Sequence, residues 1–415
     1  MIQESDLSPD QRIPYNQILG WASSFGSTRV GAPSQLPGQE DPYVLTLGGY
    51  AGTGKSTLVG TIASKLDSSR IAFCAYTGKA AHVLRGKLAD QEVYPGYCGT
   101  IHGLIYATLI DEKGRASYSQ VDSIPHIDLI VVDEASMVPE NMFDELRSYD
   151  IPILAVGDHG QLPPVASSFN LMENPLLRLE KIHRQAESNP IIQLSAHIRK
   201  TGELLRDLEG EHICFLTTEE GDDEAMRSLF EATRGVEQMY DQAVIVYRNQ
   251  TRVARNAHAR NIRFGFGGAA LPPQKNEQVI CLRNDRLSML FNGMRGHFAK
   301  EPTVYGKHKF EVDVRIHDES REVQNLKISR FQFGCEHTFS QYSDLTPYGF
   351  TPYGWSEVGG LFDYGYTLTC HKAQGSQFTD VLLVYEKPQR MNDFFRRWLY
   401  TSVTRASERI AIVMS

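Results

Sequence analysis

Short apolar runs punctuate the chain: YVLTL at 43–47, IAFCAY at 71–76, DLIVVDE at 128–134, PILAVGD at 152–158, QAVIVY at 242–247, DVLLVYE at 380–386 and RIAIVMS at 409–415. Their Val/Ile/Leu density and the turn residues after them predict strands buried on both faces, as in parallel sheets. Helical patterns such as STLVGTIASKL at 56–66 stand between them, so the expected class is α/β. Between Arg283 and Gly360 the texture changes to alternation, in FEVDVRIH at 310–317 and LKISRFQF at 326–333. This predicts a small antiparallel β module inserted into a second α/β unit. LTPYGFTPYGW at 345–355 reads as an irregular aromatic loop, and residues 26–42 read as a flexible connection.

A chain of 415 residues exceeds what one hydrophobic core organises, so two or three domains are expected. The apolar share of 41% and charged share of 22% are those of a globular protein. No run approaches the roughly 18 apolar residues that span a bilayer. MIQESDLSPD lacks the basic and apolar regions of a secretory signal. The expected location is therefore the cytoplasm, or the host cytoplasm for a viral chain, with no membrane partner. Cys74, Cys98, Cys214, Cys281, Cys335 and Cys370 are scattered without a C-x-x-C pair, which points to reduced thiols and away from a zinc site.

A net charge of −8 argues against nonspecific coating of duplex DNA but leaves room for a narrow basic channel. The charge is uneven: TTEEGDDEAMRSLFE at 217–231 is acidic, whereas YRNQTRVARNAHARNIR at 247–263 holds arginines and no acid. If the latter is helical, Arg252, Asn256, Arg260 and Arg263 share about a quarter of its circumference. A solvated face and a nucleic-acid contact both explain that stripe.

Candidate chemistry begins at GGYAGTGKST, residues 48–57, directly after the first apolar run. Gly49, Gly54, Lys55 and Ser56 occupy the defined positions of G-x-x-x-x-G-K-[ST]. Glycines let backbone N–H groups turn toward a polyphosphate, and a helix starting near Lys55 adds its N-terminal partial charge. Lys55 would meet the outer phosphates, and the Ser56 hydroxyl would hold Mg2+. Gly52, Thr53 and Thr57 complete this nucleotide-binding set. The competing reading is a glycine-rich turn with no ligand.

DLIVVDEAS ends an apolar strand in Asp133 and Glu134, at the edge where such sheets bind ligands. Asp133 is the candidate Mg2+ ligand beside Ser56, and Glu134 the group that polarises an attacking water. Two acids at a strand end also suit a helix cap. Together with the phosphate loop they point to ATP hydrolysis. AVGDHGQLPPV at 155–165 follows another strand, where Gln161 is a neutral amide suited to sensing a γ-phosphate, with Asp158 near the magnesium. A plain Gly-Asp turn before a Pro-Pro stop fits the same residues.

In the order of its motifs the chain resembles the superfamily-one helicases, in the branch of the RecD, Dda and Pif-type enzymes, over nearly all residues outside the β insertion. LSPDQRIPYNQIL is similar to the adenine-reading glutamine motif, with Gln11 in the functional position. AYTGKAAHVL and GTIHGL resemble the motifs that contact single-stranded DNA in the first ATPase lobe, through Thr77, Lys79, Thr100 and His102. LEKIHRQ carries Arg184, similar to the family arginine that reaches the γ-phosphate, and VIVYRNQTRV carries Tyr247, the aromatic packed near adenine. YTLTCHKAQGSQF and LYTSVTRASERI imply DNA contacts by Thr369, His371 and Lys372, coupling of the lobes by Gln374 and Gly375, and an arginine finger at Arg405.

The resemblance implies two RecA-like P-loop ATPase lobes with a β-hairpin pin insertion and a small β-barrel insertion. The expected boundaries are 1–186 for the first lobe with the pin at 103–126, 187–270 and 362–415 for the second lobe, and 271–361 for the barrel-like module. It also implies ATP and Mg2+ bound between lobes, and 5′-to-3′ movement along single-stranded DNA. Unwinding at duplex/single-strand junctions would follow, by a monomer serving replication, recombination or repair proteins. IYATLIDEKGRASYSQV at 105–121 has β-prone flanks around Asp-Glu-Lys-Gly, a hairpin signature. Tyr118 is its candidate wedge, stacking on the junction base pair, or else a packing residue. Two other readings stay open: a translocase subunit that does not unwind, and a nucleotide-gated DNA-binding switch. Intact Glu134 and Arg405 speak against the switch.

Overall fold

The computed structural model describes residues 4–25, 35–110, 116–164, 169–182, 188–231, 235–285, 288–317, 321–339, 358–388 and 392–414. The chain divides into two compact units, Met1–Gln193 and Leu194–Ser415.

In the first unit the four apolar runs become β1 (Val44–Gly49), β2 (Ile71–Ala75), β6 (Leu129–Asp133) and β7 (Ile153–Gly157); β3 (Tyr97–Thr100) and β8 (Leu177–Leu179), which no apolar run marked, join them, with β4 (Tyr106–Ile110) and β5 (Ala116–Gln120) between β3 and β6. Among the described residues the parallel strands lie in the order β3-β2-β6-β7-β1-β8. The two-residue period of each strand divides its side chains between two cores. Ile71, Phe73, Leu129, Val131, Leu154 and Val156 face helices α1 (Pro9–Ser23), α2 (Lys55–Lys65) and α3 (Gly78–Asp90), through residues such as Trp21, Ile62 and Leu84. Ala72, Cys74, Ile130, Val132, Ile153 and Ala155 face α4 (Ile101–Ile105) and α5 (Glu140–Arg147), through Ile101, Ile105, Met142 and Leu146. Because the strands are parallel, their carboxyl ends share one edge. Gly49, Thr77, Thr100, Asp133 and Asp158 all sit on or just beyond that edge. Among the described residues β4 and β5 pair only with each other, antiparallel, from Tyr106 opposite Gln120 to Ile110 opposite Ala116.

The second unit runs β9 (Ile213–Leu216), β10 (Gln242–Val246), β11 (Gln278–Cys281), β12 (Arg295–Phe298), β13 (Thr303–Tyr305), β14 (Lys309–Ile316), β15 (Arg321–Ser329), β16 (Phe362–Tyr364), β17 (Thr367–Thr369), β18 (Phe378–Tyr385) and β19 (Ala406–Met414). Among the described residues, β17-β10-β18-β19-β9 form a parallel sheet and β13-β14-β12-β11-β16, with β15 on β14, an antiparallel one. The chain leaves the parallel sheet after β10 and returns at β17, beside β10. The alternating segments fill the antiparallel module, whose core includes Phe298, Val312, Val314 and Ile328. The aromatic stretch at 345–355 lies outside the described residues.

For Arg252, Asn256 and Arg260 on the helix Asn249–Phe264 the structure replaces both sequence-based explanations, since each is engaged inside the protein, while Arg263 stays half-buried at the end of the stripe. Arg252 pairs with Asp363. Asn256 donates from Nδ2 to the Tyr364 carbonyl at 3.3 Å and accepts from the Thr367 N–H at 2.9 Å. Arg260 is fully buried against Glu277, and Arg263 donates to the Glu231 carbonyl at 3.0 Å. The stripe is a polar seam between the helix and the strands that return from the module. Among the described residues, no helix is long and apolar enough to cross a membrane.

Candidate functional site

The phosphate-binding loop joins β1 to α2. Gly54 caps α2 in the left-handed region, φ 77°, and Gly52 is also left-handed at φ 79°, where a Cβ would be strained. A Cβ on Gly49 would come within 2.6 Å of Thr53 Oγ1 and 3.1 Å of Leu179 Cβ, so glycine lets the loop close against β8. Thr53 is buried and donates from Oγ1 to the Tyr50 carbonyl at 2.8 Å. Lys55 turns over the loop, its Nζ donating to the Gly49 carbonyl at 2.6 Å and the Tyr50 carbonyl at 3.1 Å. Ser56 and Thr57 stand half-buried in the first turn of α2, among the N–H groups that a helix leaves unsatisfied.

Gln11 lies behind this loop. Its Nε2 donates to the Thr53 carbonyl at 3.3 Å and the Gly54 carbonyl at 3.4 Å. Its Oε1 accepts from the Ser8 N–H at 3.1 Å, closing the capping box of α1. One amide thus ties the start of α1 to the loop.

Asp133 ends β6 opposite Ala75 of β2. Loss of water, and next the neighbouring Glu134 carboxylate, push the Asp133 carboxyl above the usual carboxylate range, against the pull of Lys87 and Lys55. Glu134 takes the left-handed region at φ 51°, a conformation uncommon for a residue with a Cβ and concentrated at functional sites. Asp158 is buried and accepts the Gly160 N–H at 2.8 Å; Gln161, also buried, donates its N–H to the Asp158 carbonyl at 3.2 Å. Thr77 caps α3 by accepting the Ala80 N–H at 3.2 Å, and Thr100 caps α4 by accepting the Gly103 N–H at 3.0 Å. His102 is half-buried beside the Tyr106 ring at 5.8 Å, while Lys79 is buried in the first turn of α3. Arg184 and the side chain of Tyr118 lie outside the described residues.

In the second unit Thr369 ends β17 opposite Val246, so Thr369 and Tyr247 leave neighbouring strands at one sheet edge. The Tyr247 ring meets Trp398 edge-on at 5.4 Å, and its N–H donates to Glu386 Oε2 at 2.8 Å. His371 lies 6.2 Å from Phe394, and burial lowers the pKa of its imidazole. Lys372 donates to Asn292 of the antiparallel module. Gln374 is buried after the short helix Cys370–Ala373. Arg405 precedes β19, whose Ala406 pairs with Phe378 at the start of β18. It therefore stands at the opposite edge of the parallel sheet from Tyr247 and Thr369. Its guanidinium is buried, donating to the Thr401 carbonyl at 3.0 Å, the Ser376 carbonyl at 3.0 Å and Thr404 Oγ1 at 3.2 Å.

Comparison with known proteins agrees with this arrangement. Residues 39–211 match the AAA domain family, and residues 364–413 the UvrD-like helicase C-terminal domain. The chain is 27% identical to the ATP-dependent RecD2 DNA helicase of Deinococcus radiodurans over 88% of its own length and 46% of that protein's. It is 22% identical to the ATP-dependent DNA helicase Pif1 of Bdellovibrio bacteriovorus over 92% of this chain and 82% of the relative. Identity to the ATP-dependent DNA helicase dda of Enterobacteria phage T4 is 24%, over 51% of each chain. These relatives are helicases of the RecD, Dda and Pif type, and the chain is similar to them along most of its length. It spans less than half the length of the RecD2 relative. A Pif1 structure from Bacteroides, in complex with ADP-AlF3 and ssDNA, shares its fold, with a TM-score of 0.52 at 18% identity over 99% of this chain and 92% of that one. The two parallel sheets are accordingly RecA-like lobes.

Sequence reasoning passes over two residues beside these sites. Glu386 closes the run DVLLVYE and fastens the turn after β10, accepting Tyr247 and Arg248 N–H groups and the Thr251 hydroxyl. His159 packs its ring 4.0 Å from Tyr50 of the phosphate loop. An acid closing a strand was visible as a signal for Glu386. Nothing local marks His159.

Proposed function

We propose that this chain is an ATP-dependent DNA helicase that moves 5′-to-3′ along single-stranded DNA and opens duplex DNA at junctions. The observation that carries the reading is the meeting of the glycine loop, Lys55, Asp133 and Glu134 at the carboxyl edge of one RecA-like sheet. The residues fit Mg2+: Asp133 is a carboxylate whose desolvation and like-charged neighbour a divalent cation would relieve, and Ser56 offers a hydroxyl from the first turn of α2. The ion would neutralise phosphate charge as it develops. Lys55 and the loop N–H groups hold the phosphates, and Glu134 orients and deprotonates water. Gln161, Arg184 and Arg405 are assigned to sensing the γ-phosphate and stabilising its transfer, Gln374 to coupling the lobes, Tyr247 to the nucleotide's base, and Gln11 to bracing the phosphate loop on which the nucleotide sits. Thr77, Lys79, Thr100, His102, Thr369, His371 and Lys372 are assigned to single-stranded DNA, with Tyr118 at the junction. The chain acts as a monomer in the cytoplasm beside replication or recombination proteins.

The test is ATP turnover with and without single-stranded DNA, paired with unwinding of duplexes bearing only a 5′ or only a 3′ overhang. Stimulated turnover and unwinding from the 5′ overhang are expected. Turnover without unwinding would identify a translocase subunit, and DNA binding without turnover a nucleotide-gated switch.

A further inference from the structure

The β4–β5 hairpin stands apart from the main sheet of its unit, and an isolated two-stranded hairpin is only marginally rigid. Its neck, however, is built into the catalytic edge. On one side α4, capped by Thr100, ends at Ile105 and β4 begins at Tyr106 with no linker. On the other, β5 leads through Val121 to β6 and so to Asp133 and Glu134. The Val121 N–H closes the neck by donating to the Ile105 carbonyl at 2.9 Å.

Tyr149 reaches this closure from the turn after α5. Its hydroxyl points at the Val121 carbonyl at 2.7 Å and the Ile105 carbonyl at 3.3 Å. A phenol has one proton, so the bond to Val121 is the main one and Ile105 shares it. The adjacent Ser148 Oγ accepts from Gln120 Nε2 at 3.3 Å, a second tie from the same turn. The Tyr149 ring packs against the core that holds Ile105, Met142 and Leu146.

We propose that Tyr149 is a positioning residue for strand separation: its hydroxyl clamps the neck of the β4–β5 hairpin, so that the hairpin follows the catalytic edge as one body. The inference rests on the helicase reading. A wedge does work on base pairs only if its base does not yield, whereas ATP hydrolysis on a single strand needs no wedge. The clamp therefore separates the two activities.

Tyr149→Phe keeps the ring and removes the hydroxyl. Unwinding of a 5′-tailed duplex, single-strand-stimulated turnover with its half-saturating DNA concentration, and melting temperature are measured on one preparation. Unwinding per ATP is expected to fall about fivefold, the factor of one ordinary hydrogen bond, with stimulated turnover and its DNA dependence unchanged. Ser148→Ala, which cuts the second tie without entering the core, is expected to shift the same ratio in the same direction by less. Wild-type unwinding by Tyr149→Phe overturns the proposal, and so does an equal loss of turnover and unwinding, which would make Tyr149 a packing residue. A wild-type chain without DNA-stimulated turnover would instead overturn the helicase reading itself.

Discussion

Arg260 and Glu277 meet at 3.1 Å with neither side chain exposed to solvent. Tyr366 donates its hydroxyl to Glu277 at 2.9 Å, and the remaining Arg260 donors serve the carbonyls of Ala269, Leu271 and Pro272. Such a pair adds little over a well-packed apolar one, but removing one partner leaves a buried charge unsatisfied. Arg260→Ala is expected to destabilise the second unit by about 3–5 kcal/mol, read as an earlier urea transition. Arg260→Ala with Glu277→Ala should recover part of that loss. A single variant as stable as wild type would show that water reaches the pair.

Lys55→Ala and Glu134→Gln separate binding from chemistry. The lysine supplies a mobile positive charge that backbone N–H groups do not, so its loss is expected to abolish turnover. Glu134→Gln keeps the shape of the side chain and removes its basicity. ATP binding should persist while turnover falls by about 100-fold or more. Nucleotide titration and steady-state hydrolysis check both, and normal turnover in Glu134→Gln would remove the base assignment.

Gln11→Ala distinguishes a reader of adenine from a strut beneath the phosphate loop. Because its amide is bonded to Thr53, Gly54 and Ser8, we expect ATP and GTP to weaken by similar factors. Loss of the cap at Ser8 should also lower stability by about 1 kcal/mol. Selective loss of ATP over GTP, measured in parallel titrations, would place the amide on the base instead.

Burial holds the His371 imidazole below its ordinary value of 6.5. As pH falls through that value the unfolded chain takes up the proton first, so the folded second unit loses stability. The contribution is absent well above pH 6.5, where both states are neutral. Urea midpoints should decline between about pH 7 and 5, and His371→Gln should decline less. Parallel slopes for the two proteins would count against a buried neutral imidazole.

Much of the architecture was legible because it depends on local period. Runs such as IAFCA and ILAVG hold no polar side chain, and that texture belongs to a strand covered on both faces, as β2 and β7 are. The alternation in FEVDVRIH marked β14, buried at every second residue. The glycine loop announced itself through spacing, since Gly49, Gly54 and Lys55 must be covalent near-neighbours to shape one turn.

The helix Asn249–Phe264 shows what period leaves open. Arg252, Asn256 and Arg260 share a face in any helix, and that spacing is the same in water, against a phosphate backbone or inside a core. The folded chain decides by bringing Asp363, Tyr364 and Glu277 to them from segments far along the sequence. Lys79 and Arg405 follow the same logic: their motifs gave their identity, while burial and the carbonyls around Arg405 came from packing. Sequence alone determined the phosphate loop and the strands that carry a long apolar or alternating run, because both rest on covalent neighbours, whereas short strands such as β3 and β8 took their place only through pairing. Only tertiary structure decided which charges are buried and what holds the hairpin neck at Tyr149, because those contacts join residues that the chain itself keeps apart.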